Sequence, residues 1–260
     1  LHVESYRWSA DGMHIYFTAP VNGTVQLFDV PVTSPVSATP PVIRQVTSGD
    51  FDVTGIVGQS KQTLVVSRTD MNHAAELYTV NLADGTMKQL THVNDDAYKK
   101  IQMVRTERRW VKTTDKKDML VWVIFPPDFD PTKKYPTLLY CQGGPQSALT
   151  QFYSFRWNFQ LMATNGYIVV APNRRGMPGY GTAWNEEISK DHGGQAMEDY
   201  LSAIDAVSKE PYVDKDRLGA VGASYGGYSV FMLAGIHDGR FKSFIAHDGI
   251  FDMRSMYGTT

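Results

Sequence analysis

The sequence is short of several things, and each shortage closes off a class of protein. It has one cysteine among 260 residues, Cys141, so no disulfide can form within the chain and the redox compartment is left open. No run of about 20 apolar residues occurs, so no membrane-spanning helix is expected. Leu1-His-Val-Glu-Ser5 does not read as a signal peptide. Neither sign of charge dominates, since 25 Lys and Arg stand against 27 Asp and Glu for a formal net charge of −2. A general attraction to nucleic acid or to an anionic membrane is therefore not expected. Arg105, Arg108, Arg109, Lys112, Lys116 and Lys117 form a local basic run, read as a solvated hairpin face. There is no His-Glu-x-x-His, no Cys and His cluster at metal-ligand spacing and no phosphate loop, so neither metal nor nucleotide cofactor is expected.

What is present falls into two grammars. The first hundred or so residues read as all-β. A turn at Trp8-Ser-Ala-Asp11-Gly12 leads into a strand from His14 to Thr18, and Asn22-Gly23 turns it into a second from Thr24 to Val30. A Pro- and Ser-rich excursion from Pro31 to Pro41 follows, and a strand resumes over Val42 to Thr47. The series then recurs, with Thr63–Ser67 matching His14–Thr18, Glu76–Val80 matching Gln26–Val30, and Lys88–Thr91 matching Arg44–Thr47. A period between 40 and 50 residues with four short strands per unit is the signature of propeller blades. Two units cannot close a ring. Residues 1–104 are therefore expected to be the last blades of a β-propeller whose front is missing.

From about Ile101 the pattern changes. Strands over Met103–Val111 and Met119–Phe125 lead through the proline-rich Pro126–Pro136 connector to buried-looking strands at Pro136–Cys141, Gly166–Ala171, Arg217–Gly222 and Phe241–Ala246. Near-continuous apolar strands alternating with helices mean a doubly wound, mostly parallel sheet covered on both faces. The helix expected over Gln195–Lys209 carries Met197, Tyr200, Leu201, Ile204 and Val207 on one stripe, a core face without chemistry.

The sharpest motif lies inside this second part. An apolar run ends at Gly222, another of helical length begins after Gly226, and between them stands Gly222-Ala-Ser224-Tyr-Gly226, followed by Gly227. Gly-x-Ser-x-Gly forces a strand-to-helix turn that lifts the serine hydroxyl clear of the sheet and aims the next N–H, that of Tyr225, at the same space. Ser224 is the expected nucleophile. It needs a histidine to take its proton and a carboxylate to hold that histidine. His237 sits in a loop at the far end of a helix, and His247 follows its strand too early for the usual base. Asp248 is an outside candidate for the acid. The second oxyanion donor must come from the loop after Cys141, where the chain reads Gln142-Gly143-Gly144-Pro145. A backbone donor there, at Gly143, is favoured over the Gln142 side-chain amide. Cys141 itself reads as a small buried residue.

Gly143-Gly-Pro-Gln-Ser147, Asn173-Arg-Arg-Gly176, Asp191-His-Gly-Gly194 with Glu198-Asp199, and Gly222-Ala-Ser-Tyr-Gly-Gly227, in this order, resemble the prolyl oligopeptidase family of serine peptidases. Within it the chain is similar to the dipeptidyl-peptidase branch, near the acylaminoacyl-peptidases. The resemblance implies an α/β-hydrolase domain over residues 105–260, C-terminally incomplete, capped by the propeller. It implies a serine exopeptidase acting on peptide substrates in the periplasm or outside the cell, with the triad Asp and His beyond Thr260. A 1–260 polypeptide is then expected to be inactive and to associate through open sheet edges. No cofactor, nucleic acid or membrane is implied, and a homodimer is admitted. Tyr225, Phe251, Met256 and Tyr257 are expected to line a hydrophobic substrate pocket, although core packing explains Phe251 and Met256 as well. Arg174, Arg175, Asp191, Glu198 and Asp199 are expected to be structural ion pairs. An acylaminoacyl-peptidase or carboxylesterase on the same fold stays open, as does a propeller that only binds partners; the nucleophile elbow argues against the last.

Overall fold

The computed structural model describes residues 1–32 and 40–259, so residues 33–39 of the Pro31–Pro41 excursion lie outside the described residues. The chain divides into two compact units, Leu1–Gln102 with Thr150–Trp157, and Met103–Leu149 with Asn158–Thr260.

The first unit holds two antiparallel four-stranded sheets, each a meander in chain order. β1 (Ser5–Trp8), β2 (His14–Val21), β3 (Thr24–Pro31) and β4 (Arg44–Gln45) form one. β5 (Asp52–Ser60), β6 (Thr63–Asp70), β7 (His73–Asn81) and β8 (Met87–Gln89) form the other, followed by the short α1 (Asp95–Tyr98). Alternation along the strands sends Tyr16, Leu27, Val53, Leu64, Val66 and Val80 into one apolar cluster shared by both sheets. The strand expected over Val42–Thr47 shrinks to β4, beyond which the Val46 and Thr47 N–H groups both donate to the Leu27 carbonyl of β3.

Asp52, the first residue of β5, is 1% exposed. Its carboxylate accepts from the Val25 N–H at 2.7 Å, the Gln151 N–H at 3.2 Å and the Thr150 hydroxyl at 2.6 Å. It thereby holds β3 and the Thr150–Trp157 segment together. Burial outweighs these donors and pushes its pKa up to about 7. A folded pKa above the unfolded one means the folded state holds the extra proton between roughly pH 4 and 7. The stabilising contribution is complete below the lower value and is lost as pH rises through about 7. Asp52→Asn, which cannot ionise, should therefore hold its stability between about pH 5 and about pH 8 while the parent weakens. Parallel denaturation midpoints for the two across that range would sink this.

The second unit is built on a six-stranded sheet. Its strands are β9 (Arg105–Lys112), β10 (Asp118–Phe125), β11 (Tyr135–Cys141), β12 (Ile168–Pro172), β13 (Val213–Ala223) and β14 (Ser243–His247), in the spatial order β14-β13-β11-β12-β10-β9. β12, β11, β13 and β14 are parallel, and the β9–β10 hairpin joins antiparallel at the β12 side. Helices α2 (Phe159–Thr164), α3 (Thr182–Glu186), α4 (Gln195–Val207), α5 (Tyr225–Ile236) and α6 (Met253–Tyr257) complete it. Residues 119–125 of β10 are fully or nearly fully buried, as a strand covered on both faces must be. The stripe Met197, Tyr200, Leu201, Ile204 and Val207 of α4 packs into this core.

The basic run is not a solvated face throughout. Arg109 is paired with Glu107 and Glu210 and donates to the Tyr212 hydroxyl, and Arg105 stacks over Phe125 at 4.1 Å. Apolar surface draws the long side chains down. Among the described residues no helix is long and apolar enough to cross a membrane, and no group of three or more His, Cys, Asp or Glu could hold a metal ion.

Candidate active site

The turn at Ser224 is dictated by steric limits. β13 ends at Ala223, α5 begins at Tyr225, and Ser224 alone joins them at φ 57° and ψ −122°. Such a conformation costs a residue with a side chain on the order of 1–3 kcal/mol, and it persists only where packing enforces it. The flanking glycines show the enforcement. A Cβ on Gly222 would lie 2.5 Å from the Gly226 carbonyl oxygen and 2.7 Å from that of Cys141. On Gly226 it would fall on the Cys141 carbonyl itself. Gly227 meets the Gly249 Cα at 2.6 Å in the same sense, so α5 and the loop after β14 touch backbone to backbone. The Ser224 N–H donates to the His247 carbonyl at 3.0 Å, and the Ser224 side chain stands exposed at the tip.

The loop after β11 runs against this elbow. A Cβ on Gly143 would meet the Ala223 carbonyl at 3.1 Å and the Ser224 Cβ at 3.7 Å, so the glycine lets the two backbones lie closer than a side chain would readily allow. The Gln142 side-chain amide donates to the Ser147 hydroxyl at 3.3 Å, within its own loop. The Gln142 backbone carbonyl accepts from Arg174 Nη2 at 3.4 Å and from the Tyr200 hydroxyl at 3.5 Å. Cys141 is fully buried, and burial pushes its thiol well above the ordinary range, which leaves it inert.

Several expected residues stand elsewhere. The Tyr225 side chain is not on a substrate pocket: it is 0% exposed, its hydroxyl donates to the His192 carbonyl at 2.6 Å, and its ring packs on Arg174 and Tyr228. Only its backbone can serve the site. Phe251 and Tyr257 are 89% and 88% exposed, and Met256 on α6 is exposed as well. His237 is a capping residue, its Nδ1 accepting the Phe241 N–H at 3.2 Å while its ring meets Phe244. His247 Nε2 pairs with Asp248 at 3.0 Å, and what it gives Ser224 is a backbone carbonyl.

Of the expected ion pairs, Arg175 is the true one. Its guanidinium is clamped by Asp115, Glu187 and the buried Asp199, and it holds the Asp115 carboxyl below the usual range. Asp191 bonds the Gln195 N–H at the start of α4, and Glu198 is exposed. Arg174 is not part of any ion pair among the described residues. It is fully buried and spends its donors on the carbonyls of Pro145, Arg175 and Gln142 and on the Tyr200 hydroxyl. No local pattern in the sequence separates it from Arg175, because its partners lie about 30 residues away along the chain.

The profile of the prolyl oligopeptidase family matches residues 153–260. Over this stretch the chain is similar to the prolyl oligopeptidase family. Among its relatives, the dipeptidyl-peptidase 5 of Porphyromonas gingivalis is 48% identical over 259 residues, covering 100% of this chain and 37% of the relative. The dipeptidyl-peptidase 5 of Arthroderma otae is 32% identical over 260 residues, covering 98% of this chain and 35% of the relative. Among solved structures, the acylaminoacyl peptidase of Pyrococcus horikoshii superposes with a TM-score of 0.85 at 25% identity, covering all of this chain and 39% of that one. The chain thus spans a little over a third of the length of the family members it matches.

Proposed function

We propose that the full-length protein is a serine-type peptidase that removes dipeptides from peptide N-termini, with Ser224 as its nucleophile. On this reading residues 1–104 are the last blades of a β-propeller and residues 105–260 the first part of an α/β-hydrolase domain. The observation that carries it is Ser224 held at positive φ between β13 and α5 with the Gly143 backbone against it. That arrangement suits acyl transfer. The hydroxyl attacks the scissile carbonyl, and the N–H groups of Tyr225 and Gly143 receive the charge that develops on its oxygen. The Gln142 side chain supports the backbone alternative, because its amide is occupied by Ser147. The family resemblance assigns the triad histidine and its acid to sequence outside residues 1–260, in keeping with a chain that spans only 37% of a 48% identical relative. No cofactor takes part, and export from the cytoplasm belongs to the same proposal.

The dipeptidyl specificity rests on the 48% identity to a dipeptidyl-peptidase 5. A second reading, an acylaminoacyl-peptidase, is favoured by the 0.85 TM-score to an enzyme of that name. Offering the full-length protein one peptide with a free and with an acetylated N-terminus separates them. Dipeptide release from the free form alone is the expected result. Release of an acetylated residue would replace it by the second reading, and turnover of neither form would remove both.

A further inference from the structure

We propose that Arg174 is a positioning residue for the oxyanion donor at Gly143, a buried guanidinium that fixes the Gln142–Gly143 peptide with its N–H toward Ser224. The inference rests on the peptidase reading of Ser224.

A cation taken out of water normally has a carboxylate beside it, because an unpaired buried charge is costly. Arg174 is 0% exposed and has no carboxylate partner among the described residues. Its charge is met instead by carbonyl dipoles and by two aromatic faces, with the guanidinium 4.6 Å from the Tyr225 ring centre and 5.7 Å from that of Tyr200. Two of the three carbonyls belong to the loop after β11, Pro145 at 2.8 Å and Gln142 at 3.4 Å. One planar fork thus spans the first part of the loop, from Gln142 to Pro145, which a lysine's single point charge could not do.

What this does to the loop follows from the peptide bond. The Gln142–Gly143 bond is trans, so its C=O and N–H point in opposite directions within one plane. With the Gln142 oxygen drawn toward Arg174 and the Tyr200 hydroxyl, the Gly143 N–H is turned the other way. The Gly143 backbone lies against the elbow, since a Cβ there would meet the Ala223 carbonyl and the Ser224 Cβ. Neighbouring anchors keep the frame still. Asn173 exchanges two hydrogen bonds with Leu149, both at 2.9 Å, and fixes the far end of the loop. The Tyr225 ring that bears on Arg174 is attached to the other backbone donor of the site. Arg174 touches neither substrate nor reacting atoms, and its effect passes entirely through the peptide it holds.

The test uses the full-length protein and a fluorophosphonate probe, reading separately the final labelled fraction and the second-order rate constant of Ser224 labelling. In Arg174→Met, which keeps volume but has no donors, the labelled fraction should reach the parent's. The rate constant, and kcat on a peptide amide, should each fall about a hundredfold with KM within about twofold, the loss expected for one oxyanion donor. A purely structural role would lower the labelled fraction and leave the rate constant of the surviving molecules alone. Should Arg174→Met fail to fold, Arg174→Lys carries the test, with an expected loss of about tenfold in the same rate constant. A parental rate constant in whichever variant folds overturns the proposal and leaves the peptidase reading standing. Failure of the probe to label Ser224 in the parent protein removes both.

Discussion

Replacing Ser224 with alanine in the full-length protein should abolish fluorophosphonate labelling and lower kcat on a peptide amide by about 10⁶-fold. The magnitude follows from what the serine does. A hydroxyl placed against a carbonyl and deprotonated as it attacks turns a difficult hydrolysis into two easier steps, and without it only binding and the oxyanion donors remain. Alanine fits the site, since it keeps the Cβ and removes only the exposed hydroxyl. It must still adopt φ 57° at the turn, so folding should be little changed. The variant should therefore melt within a few degrees of its parent while turnover vanishes. Turnover surviving at a substantial fraction of the parent's would end the assignment of Ser224. The chemistry would then have to be sought at another residue.

The second large effect comes from a single methyl group. Gly226→Ala would set a Cβ on the carbonyl oxygen of Cys141, in a region where β11, β13 and α5 are already packed without space. Neither side can yield cheaply, because the carbonyl belongs to a central strand bonded on both edges. Overpacking of a core commonly costs about 1–3 kcal/mol, and here it falls on backbone rather than on a movable side chain. The elbow should shift by enough to move Ser224 from its donors, and a misplacement of about 1 Å costs on the order of 10²-fold in rate. Gly235→Ala, in the same helix, is the internal comparison. Nothing lies within 4 Å of its Cβ position, so it should be neutral or stabilise by about 0.5–1 kcal/mol. A Gly226→Ala protein as stable and as quickly labelled as its parent would show that the contact is not what holds the elbow.

The parts of the fold that were legible in the sequence are those written in local chemistry. β2, β3, β6 and β7 announce themselves by alternation and by turns such as Asn22-Gly23, and β10 and β12 by unbroken apolar runs. β5 escaped because Gly55 and Gly58 dilute its pattern, and the register shifts beside both of them break the period-2 signal. The lateral order of the sheet is a matter of long-range pairing. Nothing in residues 105–125 says that the first hairpin lies antiparallel beside β12.

The site divides the same way. The elbow is legible because glycines are placed by sterics, and sterics are local. Arg174 was not, because its partners lie about 30 residues before it, in Gln142 and Pro145, and about 26 after it, in Tyr200. Two adjacent arginines of identical composition end in opposite roles. Arg175 is neutralised by carboxylates, while Arg174 is solvated by backbone.

The excursion of Thr150–Trp157 into the first unit, anchored on Asp52, bears on how this architecture could be recombined. A chain that passes once between two units can be cut and spliced there like beads on a string. This one passes three times, after Gln102, after Leu149 and again before Asn158. A donor's residues 1–102 grafted onto this scaffold would therefore arrive with a foreign eight-residue insert already seated among their own strands. Recombination that respects the fold must exchange the two stretches as a pair, and shuffling at a single crossover point will not do so.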